Sequence, residues 1–335
     1  MYALSELKIL NYLNGQNDDE LFELADQVRE KVFKNEVYLR AIVEFSNVCN
    51  KKCFYCGLRA PNSKINRYRL DLPTILEASE TAALNGARTI VLQSGDDFSY
   101  SKEQIGELIK EIKNRHDVAV TLSIGDRDLD EYGYWFECGA DRCLIKIETS
   151  NPELYKQIRD GEKFNERLNR IKSLHDMGYE IGSGIIVGLP DSDVESLLQD
   201  ILFLTDLKLD MIAAGPFVPH PDTPFAEAVP GDLLLSYRVT ALLRILNPES
   251  NIPATSALDS FDAKGREIGL SRGCNVIMPS VTPSAHRADY NIYPGKNSVA
   301  IDVSDSLSQA ENTIRSLNLI PSSSKGFSKR NNNVQ

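Results

Sequence analysis

The chain has 335 residues, of which 42% are hydrophobic and 25% are charged, and its formal net charge is −11. An acidic chain of this kind lacks the basic face with which proteins bind phosphates, so the composition argues against nucleic acid as a partner. The first residues show no signal-peptide pattern, and no stretch reaches the roughly 18 uninterrupted apolar residues of a membrane span. We therefore expect a cytoplasmic protein that makes no membrane contact and has a sizeable core, built as one large barrel or as two domains.

Hydrophobic periodicity predicts a helix over residues 19–34, followed by short apolar runs that alternate with longer amphipathic ones. The eight apolar runs, predicted as strands, are 39–45, 88–93, 118–124, 142–148, 181–187, 210–214, 252–257 and 274–279. The predicted helices between them are 73–85, 101–114, 128–138, 164–177, 192–206 and 231–246, with shorter pieces near 151–159 and 261–270.

This alternation predicts an α/β protein with a parallel sheet, because strands separated by helices pair in parallel through right-handed crossovers. Eight such units close a complete (β/α)8 TIM barrel, which we place over residues 37–300. An N-terminal helical cap is predicted over 1–36 and a C-terminal helix over 301–320. The polar residues 321–335 are predicted to be a disordered tail.

Three cysteines follow the first predicted strand in a C-x-x-x-C-x-x-C pattern: Cys49, Cys53 and Cys56. A [4Fe–4S] cube is normally held by four thiolates, so three cysteines on one tight loop leave one iron open to another ligand. The alternatives are a structural zinc site or cysteines buried in the core. Zinc requires a fourth cysteine or histidine nearby, and none occurs between Arg59 and His116. The spacing therefore predicts one cluster, with these three cysteines as its protein ligands.

In such a barrel the active site lies at the carboxyl ends of the strands, so the residues that end each apolar run are candidate site residues. These residues are rich in glycine, hydroxyl groups and acids. They include Ser94 and Gly95 after the second strand, Ser123 after the third, Glu148 at the end of the fourth, Thr255 in the seventh and Met278 in the eighth. A solvated turn or a helix cap is the alternative for each one singly, but their coincidence around the rim favours a binding site.

Side-chain alternation gives a further prediction for the fourth strand. If Glu148 points into the barrel, Lys146 and Leu144 do so too, while Cys143 faces the helices. A lysine and a glutamate inside a barrel are costly unless they are paired or bind a ligand. We therefore predict that Lys146 faces an anionic group of the substrate, with an internal ion pair to Glu148 or Asp259 as the alternative.

The three remaining cysteines are predicted to be core residues. Cys138 ends a predicted helix and Cys274 begins a predicted strand, which places both near the lower face of the barrel. With Cys143 facing outward, none of them is positioned to ligate a second cluster at the upper face.

The loop from Cys49 to Cys56, with the aromatic Tyr55 directly before its last cysteine, resembles the signature of the radical S-adenosylmethionine (SAM) family. The resemblance implies a barrel of the radical SAM type, in which the amino and carboxylate groups of SAM chelate the open iron. It also implies reductive cleavage of SAM to methionine and a 5′-deoxyadenosyl radical. The electron would come from a low-potential donor such as ferredoxin or flavodoxin.

Longer strings narrow the resemblance to HydE, the radical SAM maturase family of [FeFe]-hydrogenase. They are Glu44–Cys49, Tyr55–Arg59, Arg67–Arg69, Thr89–Gly95, Gly215–Phe217, Pro219–Pro224, Asn251–Thr255, Asn275–Pro279 and Tyr293–Lys296. The similarity extends over about residues 20–296. It implies radical addition to the sulfur of a cysteine-bound iron carbonyl–cyanide synthon, in assembly of the two-iron subcluster, with other hydrogenase maturases as partners.

The same resemblance implies roles for individual residues. Glu148 and Arg167 would hold the methionine and ribose moieties of SAM, and Tyr55 would contact the adenine. Residues expected around the barrel cavity are Thr255, Ser256, Met278, Tyr290 and Tyr293. Together with the rim residues Ser94, Gly95 and Ser123, these positions form the predicted cofactor site, and Lys146, Tyr290 and Tyr293 are the predicted catalytic residues.

Three departures from the HydE pattern leave the substrate open. Lys146-Ile147-Glu148-Thr149 stands where HydE proteins typically read Arg-His-Glu-Thr, and a lysine lacks the planar fork that grips a carboxylate or cyanide at two points. Asp259 adds an acid after the seventh strand, and no cysteine for an accessory cluster follows Lys296. The alternative enzyme acts on a small amino-acid-like substrate, as 3-methylornithine synthase does. The alternatives outside radical chemistry are a [4Fe–4S] electron carrier and a scaffold for metallo-cofactor fragments.

Overall fold

The fold is a parallel β-sheet with helices packed around it, seen in a computed structural model that describes residues 4–297 and 299–330. Parts of the predicted cap, barrel and tail, namely residues 1–3, 298 and 331–335, lie outside the described residues. Among the described helices, none has the length and apolar character needed to cross a membrane.

Most strands match the predicted apolar runs. They are β1 (Glu36–Ser46), β2 (Thr89–Ser94), β3 (Ala119–Ser123), β4 (Arg142–Leu144), β5 (Glu180–Val187), β6 (Met211–Pro216), β7 (Val276–Ile277) and β8 (Ile320–Pro321). The sheet has the order β6-β5-β4-β3-β2-β1-β7, with every pair parallel, and β8 also pairs with β1. The parallel α/β architecture predicted from the alternation of strands and helices is confirmed.

The helices lie before the sheet and between its strands. They are α1 (Glu6–Leu13), α2 (Asp18–Phe33), α3 (Leu72–Leu84), α4 (Lys102–Arg115), α5 (Leu129–Glu137), α6 (Pro152–Ile158), α7 (Phe164–Asp176), α8 (Val194–Asp206), α9 (Leu233–Leu246), α10 (Gly265–Leu270), α11 (Ser284–Arg287) and α12 (Val303–Ser316), with a 3-10 helix at Ser256–Ser260.

Helix α4 shows how the local sequence sets these elements. Ser101 and Gln104 form a capping box, in which each side chain bonds the other residue's backbone N–H and so satisfies the first free amides of the helix. Ile105, Ile109 and Ile112 recur at helical spacing and are buried against the sheet. The cap therefore fixes where the helix starts, and the apolar stripe fixes which face packs inward.

The predicted strand at 252–257 differs from the structure. In the described chain this segment forms no regular strand, and Asn251 and Pro253 make isolated parallel bridges to β6 and β7 instead. Proline has no backbone N–H for a ladder, and the 3-10 helix begins at Ser256, so regular pairing has no room to extend. Regular pairing therefore connects β6, β5, β4, β3, β2, β1 and β7 in that order, and among the described residues no regular strand joins β7 back to β6.

The predicted strand at 142–148 is also too long. Strand β4 ends at Leu144, and Glu148 makes a single bridge to Ile185 beyond it. Glu148 has a φ of +67°, in the left-handed region, and this turns the chain out of the extended conformation. The residues that the alternation argument concerned therefore lie on the irregular segment that follows the strand.

The C-terminal residues are ordered, and the prediction of a disordered tail is wrong for residues 321–330. The Gly326 carbonyl accepts hydrogen bonds from Arg40 and Asn251, both at 3.0 Å. The Ser328 N–H donates to Glu180 at 2.5 Å, and the Arg142 guanidinium lies 4.3 Å from the Phe327 ring centroid. Arg40, Arg142 and Glu180 lie near the amino ends of β1, β4 and β5, so the polar tail satisfies charged groups buried at the lower face.

The spare cysteines occupy the positions predicted for core residues. Cys138, Cys143 and Cys274 are all buried within the main hydrophobic core. Burial raises the pKa of the Cys143 and Cys274 thiols, which keeps them protonated and unreactive.

Candidate active site

One large cavity opens at the carboxyl ends of the strands and brings the predicted site residues together. Its lining includes all of them: Cys49, Cys53, Tyr55, Cys56, Ser94, Gly95, Ser123, Lys146, Glu148, Arg167, Thr255, Ser256, Met278, Tyr290 and Tyr293. These residues come from segments spread over most of the chain. The common cavity is what the parallel sheet provides, since it collects the carboxyl ends of its strands at one face.

The cysteine loop follows β1 and forms one wall of this cavity. Cys53 is buried, and Cys49 and Cys56 are half-buried. The Asp96 N–H points at the Cys49 sulfur at 3.3 Å, and an Arg159 Nη1 donates to the Cys53 sulfur at 3.2 Å. Donors of this kind are typical around thiolates that ligate iron–sulfur clusters.

Burial raises the pKa of the Cys49, Cys53 and Cys56 thiols. A buried thiolate needs a positive partner, and the irons of a cluster would supply it. Three thiols on one cavity wall, with two sulfurs already facing N–H donors, therefore fit a [4Fe–4S] cluster, and these residues would hold it.

Gly95, at the end of β2, is required by the close approach of the cysteine loop. Its N–H donates to the Ser46 carbonyl at 3.0 Å. A Cβ added at this position would lie 2.2 Å from the Val48 oxygen and 2.8 Å from the Cys49 Cβ. Any larger residue would therefore push the loop, and the first cysteine with it, away from the sheet.

Glu148 presents its carboxylate to the cavity from a constrained backbone. Its N–H donates to the Gly184 carbonyl at 2.9 Å, and its own carbonyl accepts from the Ile186 N–H at 3.0 Å. These bonds to β5 hold it in the left-handed conformation, which costs a residue with a side chain about 1 kcal/mol or more. Backbone strain held in place by neighbours is common at ligand sites.

The Glu148 carboxylate is contacted by two cavity side chains. Its Oε1 accepts a hydrogen bond from the Tyr55 hydroxyl at 3.0 Å, and the Lys146 Nζ lies 3.1 Å from Oε2. The structure therefore contains the Lys146–Glu148 ion pair that was the alternative to a substrate contact. Asp259, the other partner considered, binds the Arg266 side chain at 2.5 Å and the Arg266 N–H at 2.9 Å instead.

Arg167 projects from α7 into the cavity and pairs with a carboxylate that follows β3. Its Nη1 lies 3.1 Å from Asp126, and its Nε donates to the Tyr155 hydroxyl at 3.1 Å. The Lys51 Nζ also reaches Asp126, at 3.1 Å. Burial disfavours the charged carboxylate, but Arg167 and Lys51 together hold the pKa of Asp126 below its usual value. Arg167 is therefore fixed at the cavity wall as a cation.

The opposite wall carries hydroxyl groups. The Tyr290 hydroxyl accepts a hydrogen bond from the Gln93 side chain at 3.1 Å, and the Tyr293 and Ser256 hydroxyls lie 2.5 Å apart. The Thr255 hydroxyl oxygen is buried and has no hydrogen-bond partner among the residues the structure describes. An unpaired buried hydroxyl at a cavity wall is available to a ligand, and a hydrogen bond there would remove its desolvation cost.

Sequence reasoning did not identify Lys296 as a charged residue of the site. Its ammonium lines the cavity and lies 3.3 Å from Glu44, a fully buried carboxylate on β1. Glu44 also accepts hydrogen bonds from Ser280 at 2.5 Å and from Asn297 at 3.0 Å. The Lys296 charge is thus balanced by Glu44, and the pair ties the 290–297 segment to the first strand.

Lys51 and Arg159 also line the cavity and were not predicted. Lys51 lies inside the cysteine loop itself, so a charged residue between two ligand positions was a signal that could have been used. Arg159 gave no such signal, because the cysteine that it contacts is 106 residues away in the sequence.

Known proteins resemble this chain both in sequence and in fold. A family model described as the Radical SAM superfamily matches residues 43–204. The chain is 49% identical over 279 residues to the [FeFe] hydrogenase maturase subunit HydE of Thermotoga maritima, covering 83% of this chain and 80% of that protein. It is 30% identical to 3-methylornithine synthase of Methanosarcina acetivorans, covering 83% and 79% respectively. The crystal structure of methylornithine synthase (PylB) has the same fold, with a TM-score of 0.84 at 24% identity over 96% of this chain and 95% of that one.

Proposed function

The chain belongs to the radical SAM superfamily and, within it, to the HydE family, and we propose that it acts in assembly of the two-iron subcluster of an [FeFe]-hydrogenase. The observation that carries the proposal is the single cavity that joins the three-cysteine loop to the Glu148 carboxylate. A cluster and SAM bound there would supply a 5′-deoxyadenosyl radical. The chain's own residues would hold both groups, orient them and keep water away.

Cys49, Cys53 and Cys56 would be the three protein ligands of one [4Fe–4S] cluster. Their burial supports this assignment, because buried thiols become thiolates only where a strong positive partner stabilises the negative charge. The cavity side of the loop would leave the fourth iron facing SAM.

The residues around the open iron support a SAM site. The Glu148 carboxylate would take the ammonium of the methionine moiety, and the Arg167 guanidinium would serve its carboxylate or the ribose. Tyr55, whose hydroxyl already bonds Glu148, would lie beside the adenine. The unpaired Thr255 hydroxyl would gain a partner, and the remaining rim positions, Ser94, Gly95, Ser123 and Met278, would complete the site.

We further propose that the cavity is enclosed by a complete (β/α)8 barrel. Along the chain, this barrel lies between the N-terminal helical cap and the C-terminal helix. Backbone hydrogen bonds across the irregular segment between β6 and β7 support this. The Ile212 N–H donates to the Asn251 carbonyl, and the Asn275 N–H donates to the Ile252 carbonyl, both at 2.9 Å. An unbroken wall would confine a radical to the cavity and exclude water from it.

The substrate end of the cavity would be formed by Lys146, Tyr290 and Tyr293. Lys146 would offer its ammonium to an anionic group of the substrate, a carboxylate or an iron-bound cyanide. The two tyrosines carry hydroxyls held by Gln93 and Ser256, so they can position a substrate without rearranging.

The partners we propose are a low-potential electron donor, such as ferredoxin or flavodoxin, and other hydrogenase maturases. All six cysteines are free thiols, which suits a reducing compartment, and we place the enzyme in the cytoplasm.

The test of this function is maturation itself. We expect the anaerobically reconstituted protein, given SAM and a reductant, to activate an [FeFe]-hydrogenase in an extract that contains the other maturases but no HydE. Hydrogen evolution is the readout, and the Cys56→Ala variant is the inactive control. Release of 5′-deoxyadenosine without any hydrogenase activation would contradict the substrate assignment.

The Lys146 position also supports a second candidate, a mutase or synthase acting on a small amino-acid-like substrate. An ammonium there can pair with an amino-acid carboxylate as well as with a cyanide. In the same assay this candidate predicts 5′-deoxyadenosine release that rises on adding an amino acid and does not depend on the other maturases.

A further inference from the structure

We propose that Arg159 is a positioning residue that raises the reduction potential of the cluster through its hydrogen bond to the Cys53 sulfur. The inference rests on the cluster assigned in the proposed function, but it does not depend on the substrate. It concerns the step in which the reduced electron donor gives one electron to the cluster and is itself oxidised.

The geometry aims the Arg159 guanidinium at the cysteine. Arg159 follows the last residue of α6 and is buried, with 7% of its surface exposed. One nitrogen, Nη1, donates to the Cys53 sulfur at 3.2 Å and lies 3.3 Å from the Tyr55 hydroxyl. The other two, Nε and Nη2, face the Glu162 carboxylate at 2.8 and 2.5 Å. Because the guanidinium is planar and rigid, the Nε hydrogen bond to Glu162 also constrains the direction of Nη1.

A separate backbone contact holds the two segments together. The Phe54 N–H, adjacent to Cys53, donates to the carbonyl of Ile158 at 2.8 Å. The residue after the cysteine is thus bonded to the residue before the arginine. The Arg159–Cys53 distance is therefore set by the backbone as well as by the side chain.

The charges around Arg159 do not cancel its effect. The network contains four cations, Lys51, Arg159, Arg167 and Arg170, and three carboxylates, Asp96, Asp126 and Glu162. The carboxylates are shared, since the Lys51 Nζ alone contacts all three, at 3.3, 3.1 and 2.6 Å. The network keeps one positive charge in excess, and Arg159 is the cation in it whose guanidinium donates to a proposed cluster ligand, Cys53.

A positive charge and an N–H donor at a ligand sulfur favour the reduced cluster, which carries one more negative charge. The effect is large in a buried site, where charges are poorly screened. Arg159 would therefore make the cluster easier to reduce by the electron donor than an uncharged side chain would.

The test is an EPR-monitored redox titration of the reconstituted protein without SAM. In Arg159→Gln, which keeps an N–H donor but removes the charge, we expect the reduced-to-oxidised ratio at a fixed potential to fall at least tenfold, a shift of 59 mV for one electron. Arg159→Lys keeps the charge and loses the fork, so its midpoint should lie between those of wild type and Arg159→Gln. The matched control is Arg170→Gln, which removes the same charge from a side chain that contacts Asp126, and we expect a clearly smaller shift.

The outcomes separate cleanly. An unchanged midpoint in Arg159→Gln at wild-type iron content overturns the proposal, and so does an equal shift in Arg170→Gln. If Arg159→Gln retains no cluster, the Arg159→Lys variant decides the question. A midpoint potential lower than that of wild type, at full iron content, supports the proposal, and an unchanged one overturns it. A folded Arg159→Lys protein that also takes up no iron overturns it, because Arg159 would then serve cluster assembly. Absence of a cluster from the wild-type protein would instead contradict the proposed function.

Discussion

Replacing Glu148 with glutamine is expected to weaken SAM binding about 10- to 100-fold while leaving the thermal midpoint close to that of wild type. A hydrogen bond to a charged group contributes about 1.5–3 kcal/mol, which corresponds to this range of affinity. Stability should change little because glutamine can still accept the Tyr55 hydroxyl bond. The Lys146 side chain left without its partner is 32% exposed and can be solvated.

The measurement is calorimetric titration of the reconstituted variant with SAM, alongside a thermal melt. Glu166→Gln is the matched control. Glu166 precedes Arg167 in the sequence, but its side chain is exposed and pairs only with Lys163 in the described contacts. A large loss of stability with unchanged SAM affinity would make Glu148 a structural residue and remove it from the cofactor site.

Replacing Lys146 with methionine is expected to abolish substrate-dependent turnover while SAM is still bound and cleaved. In the structure Lys146 is paired with Glu148, 3.1 Å away. The ammonium of SAM would compete for the same carboxylate, which would leave Lys146 as a positive charge facing the substrate. Methionine keeps much of the side-chain volume and removes the charge, so a packing role would survive the change while an anion-binding role would not.

The readouts are 5′-deoxyadenosine formed without substrate and product formed with it. Lys146→Arg is the control, because it keeps the charge and introduces the residue typical of HydE proteins at this position, and it should retain turnover. Full turnover in Lys146→Met would show that Lys146 is only the ion-pair partner of Glu148, and the substrate role would be withdrawn.

The parts of the fold and the cavity that follow from local pattern could be predicted from the sequence. The alternation of short apolar runs and amphipathic stretches predicted the parallel sheet. This is possible because the strand period of two residues and the helix period of about 3.6 residues both reflect which side chains are buried. The rule that parallel strands end at one face explains why residues as distant as Cys49, Glu148 and Met278 line one cavity.

The remaining features depend on contacts between distant segments. The tail is polar and reads as disordered, yet its backbone bonds the buried Arg40 and Glu180, whose burial no local pattern reveals. Strand β4 ends at Leu144, and the left-handed conformation of Glu148 four residues later is held by its backbone bonds to β5, which the sequence does not reveal. The Arg159 contact to Cys53 likewise exists only after α6 has packed against the cysteine loop.

The proposed function requires that Cys49, Cys53 and Cys56 hold one [4Fe–4S] cluster whose open iron binds SAM in this cavity. Its most direct test is anaerobic reconstitution followed by iron analysis and EPR of the reduced protein with and without SAM. We predict about four irons per chain, an EPR signal that changes on adding SAM, and loss of both in Cys53→Ala but not in Cys138→Ala. Zinc in place of iron, two clusters per chain, or a signal that SAM leaves unchanged would contradict it.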